Sequence, residues 1–385
     1  MFKSFFFAGF EGTTGYNERG DWVDQIAATH HDRHAAADYQ RLQEVGIHAA
    51  REAVRWPLVD RRGRYDFSSV NPFLEASQRF GIEVIWDLFH YGFPRDIDLF
   101  SEEFPRRFAD YCYAAAKYIS ARQEGTCYFT PVNEPSFFAW AGGEVGRFAP
   151  HARNRGVDLK IALARAGIAG INAIRAVIPT ARIVNVDPLC RVVPPADRMD
   201  LLGDASHFNR VSVFESWDIL CGRLYPELGG SREHLDIVGI NYYWTNQWEL
   251  GQEGRPLAQD DARRLPLSRL IHRVWERYGG DILITETSHV DEMRPVWLEY
   301  VADECEQVLD LGVSLGGVCL YPILGMPEWH SPQEWTLMGL WDLLHQTPAM
   351  TRKLFDPMLQ ALKSAQRLEN HHAWGPLSRL AEHEA

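Results

Sequence analysis

The stretch Glu83-Val84-Ile85-Trp86-Asp87-Leu88-Phe89 is apolar and rich in β-branched and aromatic side chains, and so is Cys127-Tyr128-Phe129-Thr130-Pro131-Val132-Asn133. Between them, residues 104–120 place Phe108, Tyr111, Ala115 and Tyr118 on one helical stripe. Strand, amphipathic helix and strand make one βαβ unit. Outward from it the alternation recurs. Strands are expected at 4–10, 49–54, 83–89, 127–133, 181–186, 236–242, 281–287 and 317–324. Helices are expected at 34–45, 72–80, 104–120, 158–177, 211–224, 268–278, 296–311 and 347–368, the first two stopping at Gly46 and Gly81. Eight such units predict an α/β fold, a single-domain (β/α)8 barrel over residues 1–385. A doubly wound open sheet is the competing architecture. It would want a glycine-rich phosphate turn, and Gly9-Phe10-Glu11-Gly12 lacks that spacing.

Composition bounds the partners. The 385 residues are 46% hydrophobic, which argues against disorder. Acidic residues outnumber basic ones, 52 to 39, for a formal net charge of −13. Nucleic acid is therefore not an expected partner, and anionic lipid has no reason to attract the chain. No apolar run reaches the ~20 residues of a membrane span. The start, Met1-Phe2-Lys3-Ser4-Phe5-Phe6-Phe7-Ala8-Gly9-Phe10, is too short for a signal peptide and reads as a first buried strand. The six cysteines are scattered, without CxxC or metal-ligand spacing. Reduced thiols in a cytoplasmic protein, with neither metal nor cofactor, are expected. The oligomeric state is not legible.

In a barrel, chemistry collects at the C-terminal strand ends. The fourth strand delivers Glu134 and the seventh delivers Glu286. Two carboxyls flanking a bond are what glycoside hydrolysis requires, one held protonated and one ionised.

These residues carry a resemblance. Thr130-Pro131-Val132-Asn133-Glu134-Pro135 resembles the Asn-Glu-Pro acid/base motif of family 1 glycoside hydrolases, and Ile284-Thr285-Glu286-Thr287 resembles their nucleophile motif. Arg51-Glu52-Ala53-Val54-Arg55-Trp56-Pro57 is similar to the family's second strand, and Leu88-Phe89-His90-Tyr91-Gly92-Phe93-Pro94 to its third strand end. Gly239-Ile240-Asn241-Tyr242-Tyr243 is similar to its sixth strand, and Glu328-Trp329 stands where the family carries a sugar-binding Glu-Trp pair. The matches span most of the chain in order.

The resemblance implies a retaining β-glycosidase acting on a small, soluble carbohydrate, with carboxyls about 5–5.5 Å apart rather than 6.5–9.5 Å. Glu134 would be the acid/base and Glu286 the nucleophile. Arg51 and Tyr243 would hold Glu286 ionised. Asn133 would bind the sugar 2-hydroxyl, and His90, Glu328 and Trp329 the other hydroxyls or face of the ring. Asn241 would support the site or cap a turn. Departures from the pattern are plain. No Gln follows the first strand, where Glu11 stands instead, and Thr287-Ser288-His289 replaces Asn-Gly after the nucleophile. Glu328 and a run without Lys or Arg from 325 to 344 imply an unphosphorylated substrate. Two other readings remain open: a catalytically silent carbohydrate-binding or regulatory barrel, and a transglycosylase using the same carboxylates. A metal-dependent barrel hydrolase is disfavoured by the scattered histidines, among them His30, His31 and His34. Asp87 and Asp187 are read as structural. Trp140, Trp244, Trp248 and Trp335 are weaker sugar-platform candidates.

Overall fold

The computed structural model describes residues 2–252 and 254–369; the last part of the expected 1–385 domain lies outside the described residues. Eight parallel strands close into a barrel. They are β1 (Phe6–Gly9), β2 (Ala49–Ala53), β3 (Glu83–Asp87), β4 (Tyr128–Thr130), β5 (Arg182–Pro188), β6 (Ile237–Asn241), β7 (Asp281–Thr287) and β8 (Leu315–Leu320). Each pairs with its sequence neighbours, and β8 closes on β1 with Phe7 opposite Cys319. All eight expected strands are therefore present; most are shorter than expected, while β5 runs on to Pro188, β7 keeps its bounds and β8 starts earlier, at Leu315.

Alternation along the strands sorts side chains into two cores. Phe7, Ala49, Ile85, Tyr128, Val184 and Leu283 meet inside the barrel. Phe6, Ala50, Trp86, Phe129, Val238 and Ile284 pack outward against the helices. The helices on that outer face include α1 (His31–Glu44), α2 (Asn71–Phe80), α3 (Glu103–Ser120) and α4 (Gly156–Val177). The later ones include α5 (Leu267–Tyr278), α6 (Arg294–Asp310) and α7 (Asp356–Ala365). Among the described residues no helix is long and apolar enough to cross a membrane.

Two expected helices are corrected. Residues 347–368 do not form one helix. Trp341–Leu344 and Thr351–Leu354 pair as an antiparallel hairpin, and helix begins only at Asp356. Pro348 lies in the hairpin turn, and Arg352 is drawn inward by Asp38. Residues 211–224 are likewise broken: a helix covers Leu202–Arg210, then a 3-10 turn leads to Glu215–Leu220. Gly222 takes a left-handed φ of 76° just beyond, where no helix continues.

Candidate active site

Two backbone irregularities aim the glutamates. In β7, Ile282 and Ile284 face outward, so strict alternation would send Glu286 outward too. A register shift between Ile284 and Glu286 pairs Glu286 with Asn241 and turns its side chain into the barrel mouth. Glu134 follows β4 after a short bend and takes a left-handed φ of 44°. For a non-glycine residue that costs on the order of 1–2 kcal/mol. It is offset locally by the Glu134 amide, which donates to the Val186 carbonyl at 3.1 Å.

Arg51 sits fully buried at the centre. Its Nη1 donates to Glu286 Oε1 at 2.7 Å and its Nη2 to Asn133 Oδ1 at 2.6 Å. Its Nε donates to Asp87 Oδ1 at 3.1 Å. The other Glu286 oxygen accepts from the Tyr243 hydroxyl at 2.8 Å. Glu134 Oε1 accepts from Asn241 Nδ2 at 2.8 Å, and Oε2 accepts from the Tyr91 hydroxyl. Asn241 Oδ1 in turn accepts from Thr285 at 2.7 Å, which fixes the amide with its nitrogen towards Glu134.

Because Asn133 Oδ1 is held by Arg51, its amide nitrogen faces His90 Nε2 at 3.2 Å and the Tyr91 hydroxyl at 3.2 Å. His90 Nδ1 lies 3.1 Å from Asp87, and Glu11 is 3.7 Å from Nε2. Burial opposes a charged His90 ring, but the Asp87 hydrogen bond and the charges of Glu11 and Glu286 outweigh it and raise its pKa. Glu11 is itself capped by the Thr13 amide at 2.9 Å.

Both glutamates are almost sealed, Glu134 at 7% and Glu286 at 5% exposure. Burial, then the facing charge of Glu286, pushes Glu134 up to about 8. Burial also raises Glu286, but Arg51 and His90 oppose that rise. Two facing carboxyls share one proton before both ionise. The guanidinium sits on Glu286, so the proton belongs on Glu134. The pair thus offers one carboxylic acid and one carboxylate at neutral pH.

The fold therefore brings together Glu134, Glu286, Arg51, His90, Asn133, Asn241, Tyr243 and Glu11. Asp87, read from the sequence as structural, lies in the same buried cluster and grips both Arg51 and His90. Trp329 lies alongside, its ring edge-on to Tyr91 with centroids 6.0 Å apart. Glu328 is not brought in. It is exposed and accepts from Thr336 at 2.7 Å, because the strand pair Met326–Pro327 with Trp335–Thr336 turns it outward. The platform candidates pack locally: Trp244 on His289, Trp335 on His345, Trp248 against Phe208 and Trp140 against Phe137. Tyr91 is the residue that sequence reasoning missed. Its position beside His90 was visible, but the positive φ of 64° that swings its phenol to Glu134 was not.

Comparison with known proteins bears on the fold. No protein-family model and no curated protein sequence matches the chain. Solved structures do. The chain is similar to a family 1 β-glucosidase from Thermotoga maritima, with a TM-score of 0.75 and 16% identity, over 96% of this chain and 98% of that one. The Thermotoga maritima β-glucosidase in complex with noeuromycin gives a TM-score of 0.75 and 17% identity over the same shares. The likeness is one of fold. At such identity the barrel is what the two chains share.

Proposed function

We propose that the protein is a retaining β-glycosidase that hydrolyses a soluble, unphosphorylated β-glycoside or short oligosaccharide in the cytoplasm. The observation that carries this reading is the asymmetric pair. Glu286 is held by Arg51 and Tyr243, while Glu134 has no ion-paired cation among the described residues and a pKa pushed to about 8. In the proposed first step Glu286 attacks the anomeric carbon, the bond from that carbon to the leaving oxygen breaks, and Glu134 gives its proton to that oxygen. In the second step Glu134 takes a proton from water, whose oxygen bonds to the anomeric carbon, and the Glu286 carboxylate leaves.

Glu11, Asp87 and the pair crowd four carboxyls around Arg51 and His90, a poor host for a phosphate dianion. The placement of Glu328 lends no support to the sugar contact expected of it. Asn133 and His90 are occupied by protein partners, so a sugar hydroxyl would have to replace Tyr91 or join it. The small Tyr91 hydroxyl over Glu134 and the near-sealed mouth favour a second reading, a silent carbohydrate-binding barrel. The retained proton asymmetry, which mere binding does not need, favours the enzyme.

Screening aryl glycosides of several sugars and both anomers, with NMR of the first-formed product, tests the proposal. A β-configured first product from a β-glycoside supports it. An α-configured first product breaks the retaining mechanism, and no turnover of any glycoside favours the silent barrel. A product carrying an added alcohol in place of water would make the protein a transglycosylase through the same intermediate.

A further inference from the structure

A second concavity lies on neighbouring loops of the same barrel face. It measures about 420 Å3, within the usual range of ligand pockets. Three loops build it: the antiparallel hairpin Thr14–Tyr16 with Trp22–Asp24 after β1, the turn at 56–62 after β2, and the segment 93–96 after β3. Tyr16, Trp22 and Phe93 supply aromatic walls, and Arg61, Arg62 and Arg95 supply cations. Trp22 is 40% exposed and meets the Tyr16 ring edge-on at 5.1 Å. Arg95 lies over the Tyr16 ring at 4.3 Å.

The charges are unevenly matched. The two carboxylates of the cleft, Asp60 and Asp96, are both already taken by Arg107, at 3.0 Å and 2.6 Å. Among the described residues none of Arg61, Arg62 and Arg95 forms an ion pair. The loop bearing the first two is nonetheless ordered. Asp60 accepts from the Gly63 amide at 2.7 Å, and Arg61 donates its amide to the Arg64 carbonyl at 2.8 Å. In a chain of net charge −13, three guanidiniums with no close ion pair among the described residues stand beside three aromatic rings; Arg62 acts on Asp96 and Arg61 on Asp66 only at longer range, and Arg95 rests on Tyr16.

The hairpin is also tied to the mouth. The Thr14 carbonyl packs so closely on Gly92 that a Cβ there would lie 1.3 Å from it, and Asn17 donates to the Trp329 carbonyl at 3.0 Å. A ligand in the cleft would therefore rest against the turn that carries His90 and Tyr91.

We propose that this cleft binds a carboxylated pyranose, a hexuronic acid unit of an oligosaccharide. The aromatic faces suit the C–H face of a pyranose. The guanidinium forks suit a carboxylate. This site stands on its own residues and not on the catalytic reading, since binding is measured without turnover.

The test is calorimetric titration of the whole protein carrying Glu286→Gln, which lacks the proposed nucleophile and leaves the cleft intact, with cellobiouronic acid, with its neutral parent cellobiose, and with benzoate. The acidic disaccharide should bind saturably, at least about tenfold more tightly than cellobiose or benzoate, and should weaken with salt. Arg61→Ala, Arg62→Ala and Arg95→Ala combined should cost at least about tenfold, with the melting temperature kept. Trp22→Ala, which leaves every arginine in place, should also weaken the acidic disaccharide. Absence of saturable binding, equal binding of cellobiose, or unchanged binding by both variants would overturn the site. Benzoate binding as tightly as the disaccharide would overturn its assignment to a sugar.

Discussion

Arg51 and Glu52 are adjacent on β2, and each sits in a buried charge cluster, one inside the barrel and one outside it. Outside, Glu52 accepts from Tyr39 at 2.9 Å and meets His31 Nε2 at 2.9 Å, while His31 Nδ1 meets Asp38 at 2.9 Å. Arg352 grips Asp38 at 2.8 and 2.9 Å, and Arg41 adds a contact at 3.1 Å. The His31 ring stacks between Phe10, at 3.6 Å, and Phe73, at 5.0 Å. Two carboxylates thus face an imidazolium and two guanidiniums. Burial alone would lower the His31 pKa, but Glu52 and Asp38 raise it to about 9. Inside, four carboxyls face one guanidinium and one imidazole, and a proton on Glu134 reduces the surplus. A cluster with cations enough for its carboxylates stabilises the fold; one short of cations stores a proton where a reaction can use it. The same chemical groups differ in purpose because the cations are distributed differently.

The largest expected effect separates the two clusters by activity. Glu286→Gly should lower kcat by on the order of 10^4–10^6, as loss of a catalytic nucleophile does elsewhere. Added azide should restore turnover of an activated aryl glycoside as the inverted glycosyl azide. Glu52→Gln should leave kcat per folded molecule within a few fold. Near-native kcat in Glu286→Gly would end the nucleophile assignment.

Stability should rank the clusters the other way. His31→Phe keeps the ring stack and leaves Asp38 to Arg352, but it strips Glu52 of its cation, and breaking a buried pair costs about 3–5 kcal/mol. His31 titrates near 9 when folded and near 6.5 when unfolded, so its stabilisation is complete below pH 6.5 and is lost as pH rises through 9. Urea unfolding at pH 6 and pH 10 should show the gap between wild type and variant shrinking. A constant gap would mean that packing, not charge, is the contribution of His31.

One substitution should change sign between the clusters. Glu134 holds its proton up to about 8 when folded but releases it near 4.3 when unfolded. Between those values the unfolded chain has lost a proton that the folded chain keeps, so stability falls as pH rises. Glu134→Gln cannot titrate and should stabilise at pH 7 by on the order of 2 kcal/mol. Glu52→Gln should destabilise instead. A Glu134→Gln protein less stable than wild type at pH 7 would show that Glu134 is already ionised there.

This contrast was half legible in the sequence. Eight apolar runs separated by amphipathic stretches announced the barrel, because burial of strands leaves a pattern in every residue. Glu134 and Glu286 stood out as carboxyls ending such runs. The outer cluster left no such trace: His31 read as one of several scattered histidines, and its partner Arg352 comes from a segment read as helix. Charge pairing across hundreds of residues has no local periodicity. Glu328 failed for a related reason, since adjacency to Trp329 says nothing about which way a short strand pair turns each side chain. The bulge that aims Glu286 and the positive φ of Tyr91 are backbone events that strand alternation does not announce.

The smallest expected effect tests the residue that only the fold disclosed. The Tyr91 hydroxyl donates to Glu134 Oε2 and is itself 3.2 Å from the Asn133 amide nitrogen. A hydrogen bond to a carboxylate favours the ionised form, so Tyr91 holds the Glu134 pKa below the value that burial and Glu286 would otherwise impose. Tyr91→Phe keeps the ring and its packing against Phe138, at 5.7 Å, and removes only that donor. A hydrogen bond to a charged group contributes about 1.5 kcal/mol, or roughly one pKa unit. The alkaline limb of kcat/KM should therefore move up from near 8 by roughly half a unit to one unit, while the acidic limb, set by Glu286, stays in place. The shift should be larger for substrates with poor leaving groups, which depend most on the Glu134 proton. An unmoved or lowered alkaline limb would place the Tyr91 hydroxyl outside the proton economy of the mouth and leave it a packing residue, like the rings of the outer cluster.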